Sequence, residues 1–226
     1  MVKTKQKKAQ NESNVTETAF LDAAEIIFSE NGYAGASMRA IAKKANANLG
    51  TLHYYFGTKE ALIKKTLERR LKPTFQICLQ ELEACWPESN KESPDITQVL
   101  NAYIKPIVDL SNDVNPEFDN LMLRTLNDPS DQIKNIFEPI KDEIVFLFIR
   151  LLKKCNKDLS IEEFYWRLVS VLGSTEYMFT KRSYLTRLSY GEFLPDDSDQ
   201  GIEEVIYNLS IMFMAPSIRD KPNLVK

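Results

Sequence analysis

The sequence predicts an all-α protein in two parts, three short helices followed by a body of six longer ones. Three observations carry that expectation. Apolar residues recur at helical spacing in segment after segment, as in Ile133, Ile136, Phe137, Ile140, Ile144, Leu147, Phe148 and Leu151. Glycine is scarce, seven in 226 residues, and no alternating apolar run bounded by turn residues marks a strand. Charge is divided along the chain: residues 1–72 carry 13 Lys and Arg against 7 Asp and Glu, residues 73–226 carry 16 against 25, and the net charge is -3. A basic module ahead of an acidic body points to a polyanionic partner for the first part.

Residues 1–13, with Lys3, Lys5, Lys7 and Lys8, read as a disordered basic arm, either a solvated tail or a segment lying along nucleic acid. A first helix is expected from Asn14, with Glu17 as its capping-box partner and Phe20, Ala24, Ile27 and Phe28 on its buried face. Asn31-Gly32 supplies a left-handed stop. Ser37 caps a second helix in which Met38, Ile41, Ala42 and Ala45 share one face, and Asn46-Ala47 make a tight turn, since Asn tolerates the left-handed conformation. Asn48 then caps a third helix, with Leu52 and Phe56 packed inward. Helix, tight turn, short helix is the plan of the DNA-binding helix-turn-helix. The outward groups Asn48, Gly50, Thr51, His53 and Tyr54 suit phosphates and base edges. The same spacing also fits a short capped helix packed on a larger domain.

Thr58 caps a fourth helix running towards Trp86, basic in its first half, with Pro73 expected to kink it near the charge boundary. Residues 88–94 form a polar linker in which Ser93-Pro94 reads as cap and first helical residue. The fifth helix reaches Leu110, bent or ended by Pro106, and residues 112–116 break the chain. The sixth spans Glu117 to Asn127, stopped by Asp128-Pro129. In the seventh, Val145, Phe146, Ile149 and Leu152 make the remaining faces apolar too, so other helices should surround it. Ser160 and Glu163 box the start of the eighth, whose stripe is Phe164, Leu168, Val171, Leu172, Thr175 and Phe179. Residues 182–193 continue as a helical or irregular extension, and Ser198 or Asp199 caps a ninth helix before a polar tail, residues 215–226.

Residues 20–62 resemble the N-terminal domain of the TetR family of transcriptional repressors. The matching stretches are Phe20-Leu-Asp-Ala-Ala-Glu-Ile-Ile-Phe28, Asn31-Gly-Tyr33, Ser37-Met-Arg-Ala-Ile-Ala42, Gly50-Thr-Leu-His-Tyr-Tyr-Phe56 and Thr58-Lys-Glu-Ala-Leu62. Two positions depart from the pattern, Asn46 in place of a glycine and His53 in place of a tyrosine. The resemblance implies a three-helix helix-turn-helix DNA-binding domain, residues 14–57, followed by a six-helix ligand-binding and dimerisation domain, residues 58–214. It implies double-stranded DNA as partner, contacted by Ser37, Arg39, Asn46, Ala47, Asn48, Leu49, Gly50, Thr51, His53, Tyr54 and Lys59. Thr51, Tyr54 and Asn48 should lie closest to base edges, and Arg39, His53 and Lys59 should hold phosphates.

A helix-turn-helix usually reads a two-fold site as a dimer, with heads about 34–36 Å apart. The homodimer interface is expected on the last two helices, from Leu168, Leu172, Gly173, Thr175, Val205, Ile206, Leu209, Met212 and Phe213, unless these residues only close the monomer's core. Bodies of the family commonly hold an apolar ligand, and this one is loosely similar to fatty-acid-metabolism regulators. That implies a repressor released by a small apolar effector such as a fatty acid or acyl-CoA, lined by Phe75, Tyr103, Met122, Arg124, Phe137, Phe148 and Tyr177. Arg124 would pair with a carboxylate or acyl carrier group, or else form a surface salt bridge. A multidrug-efflux repressor is the alternative within the family.

Three cysteines without a CxxC pair, and a single histidine, argue against zinc and iron–sulfur sites and suit reduced thiols in the cytoplasm. Cys78 and Cys85, seven apart, are a redox-sensing pair or inert thiols. The basic start lacks the apolar segment of a secretory signal, and the run Ile144–Ile149 falls far short of the ~20 residues of a membrane span. No nucleophile motif, phosphate-binding glycine loop or catalytic residue set is present, no cofactor or metal is implied, and Asp196, Asp197 and Asp199 read as a solvated loop. An enzyme is therefore not expected. The other reading is a helical interaction or scaffold protein with weak, sequence-blind DNA binding.

Overall fold

The computed structural model describes residues 2–89, 92–110, 115–180, 182–192 and 199–217, with side chains from residue 16 onward except at 116, 179, 180, 182, 183 and 199. The described residues form ten helices and no strand: α1 (Val2–Gly35), α2 (Met38–Lys44), α3 (Leu49–Phe56), α4 (Lys59–Ala84), α5 (Ile96–Leu110), α6 (Pro116–Asn127), α7 (Asp131–Cys155), α8 (Ile161–Thr180), α9 (Arg182–Leu188) and α10 (Asp199–Met214). They group into two compact units, residues 1–72 with 115–140, and residues 73–114 with 141–226. The chain passes from one to the other inside α4 at Lys72–Pro73 and inside α7 at Ile140–Lys141.

In the first unit the helical backbone begins at Val2, well ahead of the Asn14 start expected. Residues 3–10 are mostly Lys, Gln and Ala, all good helix formers, so nothing local stops the helix from extending through the stretch read as an arm. The far end behaves as the sequence demands. Gly32 takes φ 66, ψ 177, a conformation open to glycine, and breaks the helix there. Phe20, Ala24 and Phe28 are buried as anticipated, with Phe20 edge-on to Phe56 and tilted against Tyr55.

Two features of this unit lay beyond local reading. α6 packs along α1, burying Phe118, Leu121 and Met122, so the unit is larger than residues 14–57. And the basic first half of α4 faces acids of α1: Lys65 pairs with Glu17 at 3.1 Å, Arg69 with Asp22 and Glu25 at 2.6 Å each, and Arg70 with Glu25 at 2.9 Å. Glu17 is thus a partner of α4, not a capping residue.

The second unit has one core, in which Leu82, Val99, Leu100, Ile104, Phe148, Leu151, Leu152, Val171, Ile206 and Phe213 are buried and Tyr103 stacks on Phe148 at 4.1 Å. Each such side chain contributes about 1.5–3 kcal/mol by leaving water. α5 is capped by Asp95, whose carboxylate accepts from Gln98 N at 2.9 Å, and not by Ser93. Pro106 and Pro139 lie inside α5 and α7, neither of which ends there. α7 is not surrounded: Phe146 is 61% exposed, because only one face meets α5 and α8 neighbours of the core. The box at the start of α8 is present, with Ser160 Oγ donating to Glu163 and accepting from its amide. Arg167 donates to the carbonyls of Met212, Phe213, Ala215 and Pro216, closing the C-terminal end of α10. Cys78 and Cys155 are buried, and burial pushes both thiols up to about 12, so neither forms a ready thiolate; the Cys85 thiol is raised by the same cause. Asp196, Asp197, Ser198 and residues 218–226 lie outside the described residues.

Candidate nucleic-acid interface

Local chemistry builds the turn between α2 and α3. Ser37 Oγ accepts from Ala40 N at 3.1 Å and starts α2. At the other end Asn46 adopts φ 53, its amide donates to Lys43 O, and Ala47 N donates to Ala42 O at 2.9 Å. That pair of bonds is the Schellman closure, and Asn fills the position where a glycine was expected. Asn48 Oδ1 then accepts from Thr51 N at 2.7 Å and from Thr51 Oγ1 at 2.9 Å. A Cβ on Gly50 would come within 3.3 Å of that same oxygen, so the glycine protects the cap.

α3 buries Leu52 and Phe56, half-buries Leu49, Thr51 and Tyr55, and exposes Gly50, His53 and Tyr54. Tyr54 is 86% exposed, its ring braced edge-on by Tyr55 at 5.6 Å. The cap divides the polar work. Asn48 Oδ1 is occupied, leaving its amide nitrogen as a donor, and Thr51 has spent its proton, leaving hydroxyl lone pairs and a methyl group. Donor, acceptor, methyl and aromatic ring are the set that reads base edges in a major groove. Beside them an open concavity is lined by Arg39, Ala42, Lys43, Asn46, Ala47, Asn48 and Leu49. It brings together five of the expected contact residues and adds Lys43. α2 and α3 carry no carboxylate, so this surface is cationic throughout.

Lys59 is placed differently from expectation. Its ammonium donates to Tyr33 O at 2.8 Å and Ala36 O at 3.1 Å and lies 4.3 Å from the centre of the Tyr33 ring. Tyr33 in turn donates to Glu60 at 2.7 Å, which also accepts from Gln132 at 2.9 Å. That hydrogen bond holds the Glu60 carboxyl below its ordinary range, while burial, followed by the Glu60 bond and charge, pushes the Tyr33 hydroxyl up. Lys59 is therefore a tie across the α1–α2 connection. We expect Lys59→Ala to cost about 1–3 kcal/mol in urea unfolding, the cost of unpaired carbonyls. The slope of log affinity for DNA against log salt should stay unchanged. A slope flatter by about one unit would put the ammonium on a phosphate instead.

Residues 20–66 match the family described as bacterial regulatory proteins, tetR family, and residues 101–209 match the tetracyclin repressor-like C-terminal domain. The chain belongs to the TetR family. The HTH-type transcriptional regulator UidR of Escherichia coli (strain K12) is 51% identical over 55 residues, 24% of this chain and only 28% of UidR's length. Solved structures share the fold at low identity. A TetR-like transcriptional regulator from Rhodococcus sp. RHA1 has TM-score 0.56 and 19% identity, covering 89% of this chain and 97% of that one. The fatty acid degradation regulator FadR from Bacillus halodurans has TM-score 0.55 and 14% identity over 88% and 95%. FadR from Bacillus subtilis, solved in complex with stearoyl-CoA, has TM-score 0.53 and 12% identity over 88% and 97%.

The residues proposed to line an effector cavity in this TetR-family chain are divided between the two units. Tyr103 and Phe148 are buried and Phe75 partly buried in the core of the second unit, Met122, Arg124 and Phe137 belong to the first, and Tyr177 is 40% exposed on α8. Arg124 is not placed for a carboxylate. Its guanidinium donates to Ser29 O at 2.6 Å and Glu30 O at 3.0 Å, the carbonyls at the end of the α1 helix before Gly32. A cation at a helix C-terminus meets both the unpaired carbonyls and the dipole, which explains the placement.

The expected dimer residues need a similar correction. Leu168, Thr175, Ile206, Leu209 and Phe213 are at most 7% exposed, and Leu172, Val205 and Met212 pack on the same core, so that stripe closes the monomer. Gly173 alone of the set is exposed. The outward apolar residues are Trp166 (68% exposed), Val169 and Tyr177 on α8 and Tyr207, Ile211 and Met214 on α10. Both faces of each helix carry large apolar residues at helical spacing, and the more continuous stripe was the core one. The second stripe, at i, i+3, i+7 and i+11 through Trp166, Val169, Gly173 and Tyr177, was the signal that could have found it. No helix among the described residues is long and apolar enough to cross a membrane.

Proposed function

We propose that this chain is a DNA-binding transcriptional regulator that reads a palindromic operator as a homodimer and represses until a small apolar effector releases it. One observation carries the reading: α3, entered through an Asn48–Thr51 cap and an Asn46 turn, holds Tyr54 almost wholly in solvent beside a carboxylate-free concavity containing Arg39 and Lys43. A ring exposed to that degree and braced by another ring serves no packing purpose in the monomer. In a major groove it would meet base and sugar, with Asn48 and Thr51 on base edges and Arg39, Ser37 and Lys43 on the backbone.

The dimer is assigned to the exposed stripes of α8 and α10. Trp166 and Val169 are exposed on α8, and Tyr207, Ile211 and Met214 on α10, two helices that already pack together, and the natural occupant of such apolar surface is its own two-fold copy. The effector is assigned to the aromatic core of the second unit, around Tyr103, Phe148 and Phe75, where a long apolar molecule would replace side-chain contacts. FadR from Bacillus subtilis, of the same fold, binds stearoyl-CoA, which makes fatty acyl compounds the first class to try. The cytoplasm is the compartment this reading requires.

Selection of bound fragments from a genomic duplex pool tests it. We expect a short inverted repeat, bound by a dimer with affinity that falls steeply with salt. Release by long-chain acyl compounds and not by cationic drugs would support the effector class. Weak binding without sequence preference would sink the regulator and leave a scaffold.

A further inference from the structure

The single histidine of the chain sits on the reading helix, and its ring is already oriented. His53 is exposed, and its Nδ1 lies 2.7 Å from the Gly57 carbonyl oxygen at the end of α3. A carbonyl oxygen only accepts, so Nδ1 must carry the hydrogen. That fixes the tautomer: in the neutral ring Nε2 is a bare lone pair, and only the imidazolium has a proton there to donate. We propose that His53 contacts an operator phosphate as the imidazolium, so that DNA binding takes up a proton and tightens as pH falls. The proposal rests on the reading of α3 as the DNA-contacting helix and deepens it.

The geometry around the ring favours this over a base contact by neutral imidazole. Counting from the buried Leu52–Phe56 side, His53 sits at the flank of α3 and not at its outward centre, which belongs to Gly50 and Tyr54. The flank of a helix in a groove faces the backbone wall. A lone pair turned to a phosphate oxygen is repelled, whereas Nε2–H of the imidazolium donates to it while Nδ1–H keeps Gly57 O at the negative end of the helix dipole.

Among the described residues, the charged groups on the elements that pack with α3 give the ring no carboxylate partner. α2 offers Arg39, Lys43 and Lys44. On α1, Glu17 is held by Lys65, and Asp22 and Glu25 by Arg69 and Arg70. On α4, Lys65 lies 5.6 Å from the centre of the Phe56 ring, and Glu60 is engaged by Tyr33 and Gln132. The charges that α2 brings to α3 are thus cations, and an arriving phosphate adds a negative charge. Imidazole as a class is the side chain whose charge changes between pH 5 and 8. A tyrosine here, as the family pattern has it, would donate at every pH in that range.

The test is the affinity of the selected operator duplex from pH 5.5 to 8.5 at fixed ionic strength, for the full-length chain and for His53→Gln, with folding of both checked by circular dichroism. We expect the wild type to bind about three- to tenfold tighter at pH 6 than at pH 8, within the limit of tenfold per pH unit for one linked proton. Its salt slope should be steeper by about 0.9 at the lower pH, the signature of one added phosphate contact. His53→Gln should bind with a flat pH profile near the wild type's value at pH 8. The Cε1–H resonance of the sole histidine, followed by NMR in the free protein and in the complex, gives a second reading without any substitution, and should shift to the imidazolium position on DNA at neutral pH. A flat wild-type profile, a slope that survives in His53→Gln, or a neutral ring in the complex would each overturn the proposal while leaving α3 as the reader. Failure of the wild type to bind any duplex at any pH would remove both.

Discussion

Replacing Glu25 with Ala should destabilise the protein by about 3–5 kcal/mol, the cost of breaking a buried ion pair from one side. Glu25 is 4% exposed and takes Arg69 Nη2 at 2.6 Å on one oxygen, and Arg70 Nη2 at 2.9 Å on the other. The two guanidinium groups keep 25% and 32% exposure, so they would recover some hydration, which favours the lower end of the range. Urea unfolding read as a shift in midpoint at constant slope measures it. Glu25→Gln keeps one acceptor oxygen, loses the charge and turns the other oxygen into an NH2 that cannot accept from a guanidinium, so it should fall between. A loss under 1 kcal/mol for Glu25→Ala would mean that the α1–α4 ladder is held by packing alone. Replacing the whole set, Glu25→Leu with Arg69→Met and Arg70→Met, should be far milder than Glu25→Ala, because no charge is then left buried without its partner.

Val169→Asp should yield a folded monomer whose operator affinity is down by about a hundredfold or more. Val169 is 58% exposed, so the carboxylate is hydrated in the monomer and its fold is untouched. In the proposed dimer a two-fold axis places two such charges in one apolar interface, where each is expensive and they repel. Losing the dimer forfeits the second half-site, and with it the gain from having the second head at high effective concentration. Sedimentation velocity and an operator titration check the two parts. Leu168→Asp, one residue away but only 5% exposed, should instead unfold the chain. If Val169→Asp stayed dimeric, the interface would lie elsewhere.

The reading head was legible because its signals are local. Ser37 and Asn48 cap, Asn46 turns left-handed and Gly32 stops a helix through bonds spanning a few residues, so the residue type and its neighbours suffice. Nine of the ten helices among the described residues followed from periodicity for the same reason, with the exceptions of the α5 cap and the extended α1, while α9 had been read only as a helical or irregular extension. Lys59 and Arg124 have partners other than those expected, because each is a long cation with two classes of partner. Sequence shows the charge but not the carbonyls of residues 29, 30, 33 and 36 that claim it.

By itself, then, the sequence determined the fold class, the family and the capped helix-turn-helix, since capping, periodicity and backbone conformation act within one helical turn or two. Tertiary structure alone decided which of two apolar stripes on α8 and α10 closes the core, which basic residues of α4 remain available, and that Arg124 ends a helix. Those choices depend on which partner arrives from a distant part of the chain, and burial, unlike capping, is settled only when the partner is in place.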